Sequence, residues 1–309
     1  MINIVTKHTE NAKAEHEKRL LKKTKAKLNS SSLPKYLKDF LYKNLTQILV
    51  EKPEKFLEIN KEFYSINKGK IKKINPKIRE IFDYASFTNK KQEYNSYSLA
   101  DNLQINTCPN CNRHYTITIN SKKVGDQLTR PDFDHYFPKS KYPLLSLSFY
   151  NLIPSCKICN STFKGDKETD IKQHIHPYVD NIINDFSFNY KLSSKGLYKC
   201  ESISVDYKEP TTEDRIKKTF EMFRIEETYN GHKFIVDQIL QLKNSLNDDY
   251  LKILTQNTYD NINWTPEDAY HIGFGVNYKD DELYEHPFSK LKKDILMKDE
   301  MLSVFNTSK

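Results

Sequence analysis

Apolar residues recur at helical intervals through the first hundred positions. Leu37, Leu41, Leu45 and Ile48 fall three or four apart, which puts them on one face of a helix that starts after the Ser- and Pro-containing break at residues 29–34. A charged helix over about residues 10–27 precedes that break. Pro53 opens a short helix carrying Phe56 and Ile59, and Ile78, Ile81 and Phe82 mark another after Pro76. The period changes at Cys108. Residues 115–120 read YTITIN, rich in β-formers, and the turn-prone Gly125-Asp126 leads to a short run ending at Asp132, Phe133, Asp134 and His135, which is a hairpin pattern. A mixed stretch at 138–154 follows, then a short helix over 157–164 closed by Gly165. Past Pro177 the pattern predicts strands at 186–190 and 197–205, then helix from Thr212 and Glu213, broken near Asn230 and Gly231.

These elements predict an α+β chain in three parts: a basic, mainly helical region over 1–95, a small module of two strands and a helix over 96–180, and a mixed, then mainly helical region over 181–309. A modest hydrophobic fraction of 37% is offset by 20 Tyr and 17 Phe, since each buried ring removes roughly 150 to 250 Å² from water. Only 7 glycines argue against a phosphate-cradling loop architecture. Charge divides the chain unevenly. Residues 1–100 hold 22 Lys/Arg against 11 Asp/Glu and the other 209 hold 27 against 30, so the whole excess of the net +8 lies in the N-terminal third. Such a region attracts polyphosphate by counterion release, and it equally suits plain solvated helix faces. No run approaches the roughly 20 apolar residues of a membrane span, and the lysine-rich start lacks the apolar run of a signal peptide, so a cytoplasmic protein with no membrane partner is expected.

Four of the five cysteines form two Cys-x-x-Cys pairs, Cys108 with Cys111 and Cys156 with Cys159, separated by 44 residues. Each two-residue gap lets both sulfurs face one ion, and four thiolates make a closed tetrahedral zinc site of structural type. Redox pairs are the alternative. Cys200 reads as a packed free thiol.

Between and beyond the pairs stand Asp134-His135, then Asn151, then Cys156-Lys-Ile-Cys159-Asn160, then Lys164-Gly165. This ordered set resembles the HNH family of ββα-metal nucleases in its zinc-supported branch, with Asn160 in the last position of the motif. The resemblance covers about residues 97–180 and is similar to HNH proteins of prokaryotic defence loci, notably the nuclease subunit of Septu systems. It implies a zinc-stapled ββα-metal core set between mainly helical regions, a bend at Asp134-His135, and a supporting role for Asn151 in pinning the loop that orients His135. An ATPase partner that gates cutting is also implied, with residues 1–90 and 240–309 as candidate partner surface.

The chemistry agrees with that motif. Phosphodiester hydrolysis needs an activated water, charge relief on the phosphate and a stabilised leaving oxygen. His135 is the expected general base, and Asp134 and Asn160 supply hard oxygen ligands suited to Mg²⁺ or Mn²⁺. Lys139, Lys141, Lys164, Lys167 and Arg113 are candidate contacts to substrate phosphates, with DNA favoured over RNA such as tRNA. His174 and His176 read as packing or hydrogen-bonding residues, and His232, His271 and His286 show no partner pattern. The competing function is a zinc-stapled module that binds nucleic acid or protein without catalysis.

Overall fold

The protein is described from a computed structural model over residues 1–121, 126–194, 196, 198–245 and 266–298; Gly125 of the expected turn, Leu197 of the expected second strand and much of 240–309 lie outside these residues. Among the described residues helices dominate, with three two-stranded antiparallel sheets. The chain divides into two compact units, Ile4–Ile105 with Thr116–Asp180, and Met1–Asn3 with Asn106–Tyr115 and Asn181–Lys309.

In the first unit, α1 (Thr9–Ser30) buries Ala12, His16, Leu20, Thr24 and Leu28 at four-residue spacing, and α2 (Lys35–Val50) buries Leu37, Leu41, Leu45 and Ile48. Pro53 stands at the first turn of α3 (Pro53–Ser65), where its missing N–H costs nothing. Helix α4 (Ile71–Ile81) differs from expectation by starting before Pro76, which lies inside it. Buried Ile74, Ile78 and Ile81 share one face, and their packing outweighs the one backbone hydrogen bond that the proline removes. Asp83 caps the single turn α5 (Tyr84–Phe87), and Asn95 with Ser98 forms a capping box on α6 (Ser96–Leu103).

The YTITIN run is also not what its composition predicts. Within it Ile119–Asn120 (β1) forms a strand with Gln127–Thr129 (β2), Tyr115 makes an isolated bridge to Thr107, and Ile117 and Ile119 face outward while Thr116 is buried. Strand β3 (Asp132–His135) pairs instead with β4 (Leu152–Ser155), inside the stretch read as mixed. The long connection between them is held from inside rather than by a tight turn. After β4 comes a π-helical turn, Ile158–Lys164, ended by Gly165 at φ 53°, a value that favours glycine.

In the second unit, β5 (Phe186–Leu192) and β6 (Cys200–Tyr207) form a hairpin packed against α7 (Pro210–Met222), α8 (Ile225–Asn230), α9 (Lys233–Ser245) and α11 (Ser289–Lys298), and α10 (Pro266–Phe274) belongs to the same unit. Phe188 stacks on Tyr229 at 4.3 Å, and the Tyr229 hydroxyl donates to the Cys111 carbonyl at 2.8 Å. No helix among the described residues is long and apolar enough to cross a membrane.

Candidate functional site

The sulfurs of Cys108, Cys111, Cys156 and Cys159 all lie within 4.8 Å of one another, buried and reduced. Zn–S bonds of 2.3 Å in a tetrahedron put sulfurs about 3.8 Å apart, so the cluster fits a zinc ion. Backbone geometry shapes both knuckles. Asn112 adopts φ 47°, a conformation asparagine tolerates, and its N–H donates to the Cys108 carbonyl at 2.7 Å. Its buried side chain donates to the carbonyls of Leu283 and His286 and accepts from Ser289 Oγ, anchoring the knuckle. In the other knuckle the Cys159 N–H points at Cys156 Sγ, 3.4 Å away.

A separate cleft of about 520 Å³ is lined by Asp132, Asp134, His135, Lys139 and Asn160, with Tyr84 and Arg130. Asp132 and Asp134 alternate on β3 and so share a face. His135 is the last residue of the strand, still in register with Leu152, and it also reaches the cleft. Its Nε2 lies 3.0 Å from the Ser146 carbonyl. A carbonyl only accepts, so Nε2 carries the proton and Nδ1 keeps the lone pair. Burial, helped by the positive charge of Lys139, lowers the imidazole to about 3, so it is neutral at ordinary pH. The ring packs edge-on against Tyr84, with centroids 4.4 Å apart.

The loop that supplies this carbonyl is tied down at three successive residues. Asn151, fully buried, accepts from Phe137 N–H at 2.7 Å and donates to the carbonyls of Phe137 and Leu145 at 3.1 and 2.9 Å. His135 takes the Ser146 carbonyl, and His16 Nε2 donates to that of Leu147 at 2.8 Å. Asn151→Ala leaves the buried Phe137 N–H and carbonyl unpaired, while the Leu145 carbonyl keeps the Ser148 N–H; at roughly 1 to 3 kcal/mol per group, a loss of at least about 2 kcal/mol is expected in denaturant unfolding. A loss under about 1 kcal/mol would contradict this role.

His16 makes the fold acid-sensitive. Burial lowers it to about 4, well below an unfolded value near 6.5, and its other nitrogen accepts from the Tyr94 hydroxyl at 3.1 Å. The unfolded chain therefore binds the proton that the folded chain refuses. Stability from this group is complete above pH 6.5 and falls as pH drops toward 4, by on the order of 3 kcal/mol. Unfolding curves for His16→Gln should show a flatter acid limb than wild type, and an identical limb would refute the assignment.

The remaining expected site residues divide. Lys139 lines the cleft with its ammonium over the Tyr84 ring at 4.7 Å. Lys164 does not: its side chain is 1% exposed, and Nζ sits 2.9 Å from Asp134 Oδ1 and 2.6 Å from the His135 carbonyl. Burial pushes the Asp134 carboxyl up, against the pull of Lys164. Asn160 Nδ2 lies 3.4 Å from Asp132 Oδ2. Lys141 is exposed and pairs with Glu168 at 2.6 Å. Arg113 is buried and does not line the cleft, nor do His174 and His176, the latter packed on Tyr136 at 4.3 Å.

Asp132, Tyr84 and Arg130 were not singled out in the sequence. The alternation that places Asp132 beside Asp134 was available there. Arg130 stands two residues before Asp132, whereas Tyr84 reaches the cleft only through long-range packing. Arg130 lies over the rings of Tyr97 and Phe133 at 5.3 and 6.0 Å, and burial raises Tyr84 to about 12.

Over 76 residues, 24% of this chain, the sequence is 40% identical to Septu protein PtuB of Bacillus thuringiensis, covering 29% of that protein. Over 61 residues, 19% of this chain, it is 39% identical to protein ea31 of Escherichia phage lambda, covering 21% of it. The matches thus span less than a third of either relative. No family model matches the chain, and no solved structure does.

Proposed function

We propose that the protein is a metal-dependent HNH endonuclease, the effector of an anti-phage defence complex whose ATPase partner gates cutting. The observation that carries the reading is the placement of His135: an imidazole with one nitrogen fixed on a carbonyl, in the same cleft as two carboxylates and an asparagine. That is the arrangement a general base needs when it acts beside a cation site. The strand pair β3–β4 followed by a helical turn supports a ββα-metal core, and the partial similarity to a Septu protein supports the defence role.

Asp134 and Asn160 would hold Mg²⁺ or Mn²⁺, and their hard oxygens suit those ions. Asp132, on the same strand face as Asp134 and in contact with Asn160, is a further oxygen donor at the same place. The bound cation would supply charge relief on the phosphate and on the leaving oxygen. His135 accepts the proton of the attacking water at Nδ1, while the Ser146 carbonyl holds the ring in orientation. Lys139 and Arg130 at the cleft wall contact phosphates flanking the scissile one. Arg113 is buried, which makes it a weaker candidate for such a contact. Zinc on the four cysteines stabilises the scaffold.

DNA is the favoured substrate. Plasmid, single-stranded DNA and tRNA, each incubated with the protein and Mn²⁺, with and without the ATPase partner, test the reading. Metal-dependent cutting of DNA is the expected result; cutting of tRNA alone would move the substrate to RNA, and no cutting by any combination would leave a zinc-stapled binding module.

A further inference from the structure

Strand β3 and the π-helical turn grip each other through reciprocal contacts. The turn gives Asn160 to Asp132 and Lys164 to Asp134, four residues apart on the turn and two apart on the strand. Lys164 also donates to the His135 carbonyl at 2.6 Å. With a side chain 1% exposed and two donors engaged, it is sealed behind the carboxylate and cannot meet a polyanion in the cleft without leaving the interior.

We propose that Lys164 is the positioning residue of the cleft, holding Asp134 by Oδ1 and fixing the backbone at the His135 carbonyl so that carboxylate and imidazole face one side. The proposal rests on the nuclease reading above. Neighbouring strand residues ordinarily point to opposite faces, so a device that turns Asp134 and His135 toward one centre is needed, and one buried ammonium bonded to both residues supplies it. An ammonium suits the task better than a guanidinium, because it is compact and its donors can turn between a carboxylate and a carbonyl, whereas a planar fork has fixed directions. Groups that orient ligands in this way typically change metal affinity by about 10- to 100-fold when removed.

The test is Mn²⁺ binding, read by the electron paramagnetic resonance of free Mn²⁺, in wild type, Lys164→Met, Lys164→Gln and Asp134→Asn. Zinc content and thermal melting report the fold. Lys164→Met should keep its zinc and bind Mn²⁺ about 10- to 100-fold more weakly, with Lys164→Gln in between because the amide still donates. If Lys164→Met does not fold, the same criterion applies to Lys164→Gln. Wild-type Mn²⁺ affinity in the folded variants, with weakened binding of a short DNA duplex in chelator, would make Lys164 a phosphate contact and overturn the proposal. Equal Mn²⁺ binding by wild type and Asp134→Asn would instead sink the nuclease reading itself, and the proposal with it.

Discussion

Cys156→Ser is expected to lose zinc and the fold around the cysteine cluster together. The four buried sulfurs lie within 4.8 Å of one another, and thiolates this close stay ionised only while a cation balances them. A structural zinc contributes roughly 10 to 16 kcal/mol of folding free energy at neutral pH, against a net stability of about 5 to 15 kcal/mol for a typical domain. Losing one of four ligands forfeits enough of the first figure to exhaust the second. Metal analysis of wild type should give about one zinc per chain, and the variant should melt without a cooperative transition. A Cys156→Ser protein that melts like wild type would show that the cluster is not a structural metal site.

The second large effect is on catalysis. His135→Ala should reduce cleavage by about 10²- to 10⁴-fold while leaving the zinc in place. The variant also leaves the Ser146 carbonyl without its donor, so a modest loss of stability, roughly 1 to 3 kcal/mol, should accompany it. The pH profile separates this histidine from an ordinary one. Its conjugate acid is lowered to about 3, so the base form persists well below pH 6.5. The cleavage rate should therefore show no acid limb centred near 6.5, and a limb there would mean that the imidazole is solvated or that another group is the base.

How much of this was legible in the sequence depends on the range of the interaction that decides each feature. The helix carrying Leu37, Leu41, Leu45 and Ile48 follows from spacing alone, as does the cysteine cluster from two matched pairs. Pro76 misled, because proline signals a helix start locally while the burial of three isoleucines of the same helix, set by what packs against them, settles the matter. YTITIN misled for a related reason. Its β-propensity is real, but strand formation needs a partner, and beyond the bridge at Tyr115 only Ile119 and Asn120 find one, in the short β2.

At the site, residue types and order named His135, Asp134, Asn151 and Asn160, and period two would have added Asp132. The partner of each was not legible. That Asn151 reaches Phe137 and Leu145, that His16 holds the Leu147 carbonyl from 131 residues away, and that Lys164 turns inward to Asp134 are outcomes of packing. Lysines abound on this chain, and sequence alone cannot separate the one sealed in the interior from those at the cleft wall.

The most direct measurement of the central claim is cleavage of supercoiled plasmid by wild type and His135→Ala side by side, in Mn²⁺ and in chelator, with the proposed ATPase partner present and absent. Nicked and linear products are expected from wild type in Mn²⁺, none in chelator, and at most about one hundredth of the wild-type rate from the variant. Equal cutting by both proteins, or none by wild type on DNA or RNA under any of these conditions, would contradict it.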